Sequence, residues 1–333
     1  MHLVTRLRLV PLATAAALLL SACGTAAASS LSEGGAAAPS APATPAAVAS
    51  SPAEVPTTAA PTVTTPAATV VATPAVVPVV TSLRPPAGKM WGSTPGSAAV
   101  RKATINGGSV TLMWMDPTRL RFHFVPGYSI PGGPATKADV TASTWTRRMV
   151  AAFNGGFKLS DGAGGYWYRG TTVSRLRSGL ATFAISSDGS IHVGIWGRDL
   201  KMSKSFVVVR QNLRPLVDRG RSMASTSDSA ARWGAADGGV STANRTALGV
   251  RADGSIVFEY GHNVTASTMA QGLLRAGVRE ALVLDMNRTW PTGFVYSHRG
   301  GKVSGSRINP AVMRPPSTYY ARFTKDFVAV LAR

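Results

Sequence analysis

Hydrophobic and polar positions divide the chain into three stretches. Behind Arg6 and Arg8, an uncharged apolar run extends from Leu9 through Leu20. From Gly24 to about Ser82 the pattern disappears into Ala, Pro, Thr, Val and Ser, with Glu33 and Glu54 as the only charges. From Leu83 onward, apolar alternation and turn residues set in. Ala181 to Ile185 and Ile191 to Ile195 flank Asp188-Gly189, and Ala247 to Arg251 and Ile256 to Tyr260 flank Asp253-Gly254. Alternating runs on either side of Asp-Gly predict two β-hairpins. Two further segments predict a helix followed by a strand. Thr136 to Thr146 leads into Met149–Phe153, and Thr265 to Ala276 closes at Gly277 before the apolar run Ala281 to Asp285. The pattern predicts an α+β class: one folded domain over residues 83–333, strand-rich, with a mixed sheet, hairpins and a few helices.

The first stretch is an address. A positive segment before an apolar run of this length is a signal peptide, and the run is too short to span a bilayer stably. It ends in Leu20-Ser21-Ala22-Cys23, the pattern of a bacterial lipobox, so residues 1–23 predict cleavage before Cys23, which becomes the diacylglycerol-modified N-terminus. The alternative is an ordinary secretory signal with Cys23 incidental. Lipidation would hold the mature chain, with its palmitate-type acyl chains, on the extracytoplasmic face of a bacterial cell membrane. Residues 24–82 cannot build a core and predict a disordered tether with polyproline II character, which would span about 190 Å at full extension.

Composition narrows the chemistry. The chain has 333 residues, with 35 Lys and Arg against 15 Asp and Glu, a formal charge of +20. Part of that excess reflects an Arg- and Ala-rich composition. A single cysteine excludes a disulfide framework and any cysteine-built metal site. His123, His192, His262 and His298 show no zinc-binding spacing and read as surface or turn residues. No cofactor is predicted, and a divalent metal has no support in the sequence. Neither a G-x-S-x-G elbow nor a Walker loop occurs. Arg169 to Arg177 and Arg210 to Arg221 are basic but lack interleaved aromatics, so nucleic acid is not the expected partner. Anionic wall polymers or lipid headgroups fit such a face, as does plain solvated surface.

Three strand ends deliver polar groups into turns. In Phe153-Asn154-Gly155-Gly156-Phe157, paired glycines allow close backbone approach and an anion-binding nest, or simply a tight turn. In Asn244-Arg245-Thr246-Ala247-Leu248-Gly249, an Arg enters a strand of small residues, either as a structural ion pair or as a fork for phosphate. In Leu284-Asp285-Met286-Asn287, a carboxylate ends an apolar strand, as a working acid or as a turn cap.

Together these segments resemble the phosphodiester glycosidase family, whose pattern is a strand into N-G-G-F, an R-T-A-I/L-G strand and a strand ending in L-D-G-G. Trp196-Gly197-Arg198-Asp199, Arg210-Gln211-Asn212-Leu213 and Lys325-Asp326-Phe327-Val328-Ala329-Val330 look like an actinobacterial, exopolysaccharide-related branch. The third motif departs, because Met286-Asn287 stand where the family has glycines. The resemblance implies a hydrolase cleaving glycosyl phosphodiesters of cell-envelope polymers or exopolysaccharide. The phosphate ester leaves as a stable anion, so the two-carboxylate demand of glycosidases relaxes toward one carboxylate and one cation. Asp285 would be general base or nucleophile, Arg245 the phosphate clamp, and Asn154 with the Gly155-Gly156 backbone donors to sugar or phosphate. Asn287 and Trp290 would line the mouth, Trp290 as a stacking face. The alternative is a non-catalytic lipoprotein that binds an anionic glycan, consistent with the altered turn after Asp285; a structural envelope lipoprotein is a weaker third reading.

Overall fold

In the computed structural model, residues 82–85, 98–133, 142–234 and 241–333 are described. All lie in the second of the chain's two units, Met1–Thr73 and Pro74–Arg333. The expected signal peptide, Cys23 and nearly all of the expected tether lie outside the described residues.

Among the described residues, seventeen strands follow one another. They are β1 (Ala98–Ile105), β2 (Gly108–Met115), β3 (Leu120–Val125), β4 (Met149–Asn154), β5 (Tyr166–Tyr168), β6 (Thr171–Ser174), β7 (Ala181–Ser186), β8 (Ile191–Ile195) and β9 (Phe206–Gln211), then β10 (Val217–Asp218), β11 (Arg221–Ser222), β12 (Ala243–Arg251), β13 (Ile256–Val264), β14 (Val278–Met286), β15 (Gly293–Arg299), β16 (Lys302–Arg307) and β17 (Phe327–Ala332). A helical turn, α1 (Ser143–Thr146), precedes β4, and α2 (Ala266–Arg275) links β13 to β14. The strands form three sheets, ordered β1-β2-β13-β12-β14-β10-β11, β16-β15-β4-β17-β3 and β6-β5-β9-β7-β8.

Both predicted hairpins form, β7 with β8 and β12 with β13. Their turns are closed by Asp188 and Asp253, whose carboxylates accept the N–H of Ser190 and Ser255. Gly189 and Gly254 take the left-handed backbone that these turns need. The predicted α2 also forms. Thr265 caps it by accepting the Thr268 N–H at 3.1 Å, and Gly277 ends it at φ +81°.

The class expectation needs correction. The described residues are mostly β, and the pairings between named strands are antiparallel. Hairpin turns give antiparallel neighbours, whereas parallel pairing needs long crossovers that this chain supplies sparingly. Of the helix expected over Thr136–Thr146, only Ser143–Thr146 is helical within the described residues; residues 134–141 lie outside them.

The first sheet has two working faces. Ala247, Val257, Val283 and Met286 pack under Met269, Ala270 and Leu273 of α2. On the other side, Leu248, Phe258, Leu282 and Leu284 join a core with Phe153, Phe294 and Val328 of the second sheet. Phe153 stacks on Phe258 across that junction, with ring centroids 4.8 Å apart. β4 and β17 are buried at every position, so each is a continuous apolar run rather than an alternating one. Phe124 of β3 packs against Tyr166 and Phe183 of the third sheet. All three sheets thus share one apolar centre. Among the described residues, no helix is long and apolar enough to cross a membrane.

Candidate active site

The ends of four strands meet where the three sheets converge. β4 runs out at Asn154 into Gly155-Gly156, β17 starts just after Lys325-Asp326, β14 ends at Asp285-Met286, and β9 ends at Arg210-Gln211. Register brings the first two together: Phe327 pairs with Asn154, and the Gly155 N–H donates to the Asp326 carbonyl at 2.8 Å.

Four charged side chains sit at this meeting point, all buried. Lys325 donates its ammonium hydrogen bond to Asp285 Oδ2, while Asp285 Oδ1 accepts the Met286 N–H at 2.7 Å. Arg210 Nε donates to Asp326 Oδ2 at 3.2 Å. Asp326 Oδ1 is buried and has no hydrogen-bond partner among the described residues. Burial pushes the Asp285 carboxyl above the usual range, against the pull of Lys325. Burial likewise raises Asp326, opposed first by Arg210 and then by Lys325. Two acids and two cations cancel in formal charge, which makes their common burial tolerable.

The glycines of the N-G-G-F turn are required by this cluster. A Cβ on Gly155 would lie 2.4 Å from Asp326 Cγ, and one on Gly156 2.6 Å from Asn212 Oδ1. Neither glycine adopts a positive φ, so close approach, not left-handed backbone, is their reason. Arg210 and Asn212 hold the turn from below: Arg210 Nη2 donates to the Phe157 carbonyl, and Asn212 Oδ1 accepts the Phe157 N–H at 3.0 Å. Asn212 also donates to the Val283 and Leu284 carbonyls, tying the turn to β14. Gly155→Ala is therefore expected to destabilise the fold by about 1–3 kcal/mol through overpacking, measured by urea unfolding.

A β-bulge aims Asp285. On β12, pairing advances two residues from Arg245 to Ala247, while on β14 it advances three, from Met286 to Val283. Leu284 and Asp285 together oppose Thr246, and such bulges re-aim side chains. The Thr246 hydroxyl accepts the Asp285 N–H at 3.2 Å and an Asn154 Nδ2 hydrogen bond at 3.0 Å. Asn154 Oδ1 in turn accepts the Thr292 N–H at 2.9 Å. Asn154 is thus a brace between two sheets, with both ends of its amide engaged, and the Gly155 N–H is spent on Asp326. These groups were expected to donate to sugar or phosphate; instead they build the wall of the site.

Arg245 is not brought to Asp285. As the neighbour of Thr246 on a strand, it points to the opposite face, toward α2. Its guanidinium donates to the carbonyls of Val264, Trp233 and Ser241 at 3.0, 3.1 and 3.0 Å and touches Met286 Sδ at 3.1 Å. Burial pulls it down to about 10, so it stays charged at neutral pH. The cation beside Asp285 in this geometry is Lys325, not Arg245.

Trp290, Phe323 and Arg314 form a half-buried rim. Lys325 Nζ lies 5.4 Å and Arg314 Cζ 4.7 Å from the Trp290 ring centroid, both within cation–π reach. Asn287 sets this rim: its Oδ1 accepts the N–H groups of Thr289 and Trp290 at 2.7 and 2.6 Å. It also lines a cleft of about 780 Å³ with Asn244, His262, Asn263 and Arg288.

The residues not anticipated are Lys325, Asp326, Arg210, Asn212 and Thr246. A signal for the charged three existed: Val207-Val208-Val209-Arg210 and Lys325-Asp326-Phe327-Val328 set charges against apolar runs, where a charge needs an opposite partner. The histidines also need correction. His123, His192, His262 and His298 lie in strands, not turns; His262 is exposed, as expected, while the other three are half-buried, and His298 Nε2 bonds the Met149 carbonyl at 2.8 Å. Among the described residues, no group of three or more His, Cys, Asp or Glu is placed to hold a metal ion.

Comparison with curated proteins gives no match. Among solved structures, the chain is similar to the zebrafish N-acetylglucosamine-1-phosphodiester alpha-N-acetylglucosaminidase catalytic domain auto-inhibited by its pro-peptide, at 18% identity and a TM-score of 0.44, covering 74% of this chain and 87% of that one. It is also similar to a protein of Synechocystis, at 15% identity and a TM-score of 0.39, covering 71% of this chain and 62% of that one. Residues 147–285 match the phosphodiester glycosidase family. That stretch contains Asn154, Arg210, Thr246 and Asp285, so the match takes in the Asp285 end of the site but not Lys325 or Asp326.

Proposed function

We propose that this chain is a membrane-anchored, extracytoplasmic hydrolase that cleaves glycosyl phosphodiesters of cell-envelope polymers or exopolysaccharide. The observation that carries the proposal is the Asp285–Lys325 pair, a carboxylate at the last residue of the family-matching stretch, aimed by a bulge at a cation that lies beyond that stretch. In the reaction, water adds to the anomeric carbon and gives its proton to the Asp285 carboxylate. The bond from that carbon to the phosphate oxygen breaks, and its electron pair stays on the phosphate ester. The products are a reducing sugar and a phosphate monoester. In the nucleophile variant of the same scheme, Asp285 attacks first and water resolves the glycosyl-enzyme. Lys325 offsets the charge gathering on phosphate, and Trp290 offers its ring to a sugar. The anchor would be the acyl chains of a diacylglycerol-modified Cys23.

The test is release of reducing sugar from sugar-1-phosphodiesters and from isolated anionic envelope polymers by the full chain. Asp285→Asn is expected to lower turnover about 10²- to 10⁴-fold, with thermal melting run alongside to show that the variant is folded. Cys23→Ser is expected to move the chain from the membrane to the soluble fraction. A second reading, a non-catalytic lipoprotein that binds anionic envelope glycans, is favoured by the near-complete burial of both carboxylates and by Met286-Asn287 in place of glycines. Polymer binding without turnover would select it.

A further inference from the structure

A groove of about 560 Å³ lies between the second and third sheets, lined by Arg121, Arg148, Arg169, His123, Tyr168 and Asp188 among others. It is separate from the acid cluster. Arg148 precedes the first residue of β4 and Asn154 is its last, so the two sites lie at opposite ends of that strand, about 17 Å apart along it. The three arginines are exposed, and none forms a salt bridge among the described residues. The one acid lining the groove, Asp188, is committed to the Ser190 N–H and hydroxyl. Arg169 lies over the Tyr168 ring at 5.5 Å, and His123 Nε2 has no hydrogen-bond partner among the described residues. The groove therefore offers the guanidinium groups of Arg121 and Arg169, with Arg148 donating to the Ala332 carbonyl, an aromatic ring and an unmet polar atom, and its lining sets three cations against one carboxylate.

From this we infer that the groove is a second, non-catalytic subsite that holds phosphodiester groups of an anionic glycan or polyol-phosphate polymer. Guanidinium forks bind phosphate oxygens bidentately, and three arginines in one groove supply more than one such contact. A lipid surface fits less well, because the exposed large apolar side chains Tyr128, Met202, Met223 and Met313 are not among the groove's residues. The inference rests on the envelope-polymer reading of the substrate but not on turnover.

The test uses the full chain and poly(glycerol phosphate), with phosphatidylglycerol vesicles and a soluble sugar-1-phosphodiester as further arms. The variant is Arg121→Gln/Arg169→Asn, since Asn tolerates the positive φ of residue 169. The control removes the same charge at the β15–β16 tip, Arg299→Gln/Lys302→Gln. The groove variant is expected to bind the polymer at least about tenfold more weakly, while the control binds like the parent and turnover of the small substrate is unchanged. Equal weakening in both variants, absence of polymer binding by the parent, or a loss confined to the vesicles would each overturn the inference. If no protein turns over the small substrate, the hydrolase reading fails, and the polymer arm still decides the groove.

Discussion

Replacing Lys325 by Met is expected to move the acidic limb of the pH–activity profile upward by about one to three pH units. Asp285 must be ionised to accept a proton or to attack, so activity falls as pH drops through its folded value. That value is already raised by burial, with Lys325 as the first influence pulling it down. Without the ammonium, burial acts almost unopposed and the carboxyl holds its proton to higher pH. Activity in Lys325→Met is therefore expected to recover as pH rises, whereas Asp285→Asn stays inactive at every pH. Lys325→Arg, which restores the charge, should bring the limb back toward the parent. The same change strands a buried carboxylate, and removing one partner of such a pair costs about 3–5 kcal/mol, seen in urea unfolding. A limb that does not move would show that Asp285 is not the group whose titration controls turnover.

Replacing Glu259 by Met is expected to stabilise the protein by about 2 kcal/mol or more at neutral pH. Glu259 sits on β13 between Ala247 and Leu112 of the neighbouring strands. It is fully buried, and neither carboxylate oxygen has a partner among the described residues. Burial alone pushes its carboxyl well above 4.5, so the folded state holds it as the neutral acid. A folded value raised above the unfolded one gives stability that is complete below about 4.5 and is lost as pH rises toward the folded value, at about 1.4 kcal/mol per pH unit. Met has similar length and nothing to titrate. The gain should thus shrink as pH falls toward 4.5, and unfolding free energies across that range check it. Gly272 of α2 exists for this side chain, since a Cβ there would meet Glu259 Oε1 at 2.0 Å. A parent and variant that differ equally at all pH values would mean that Glu259 does not titrate on unfolding.

The features legible along the chain are local ones. Asp-Gly between alternating runs specified both hairpins, because the Asp side chain closes the turn and glycine adopts its left-handed backbone. Thr265 and Gly277 bounded α2 for the same kind of reason, a cap at each end. The motifs around Asn154, Arg245 and Asp285 located the family match. The tertiary structure alone decided which of their side chains meet. Arg245 and Thr246 are adjacent in sequence, yet a strand sends them to opposite faces, and only packing chose the face that holds Asp285. The bulge that turns Asp285 toward Lys325 arises from register between β12 and β14, which no local pattern encodes. Likewise the Asp285–Lys325 pair spans 40 residues and the Arg210–Asp326 pair 116. Such partners come together only when separate sheets pack, because a buried charge is satisfied by whatever the fold brings beside it, not by its neighbours along the chain.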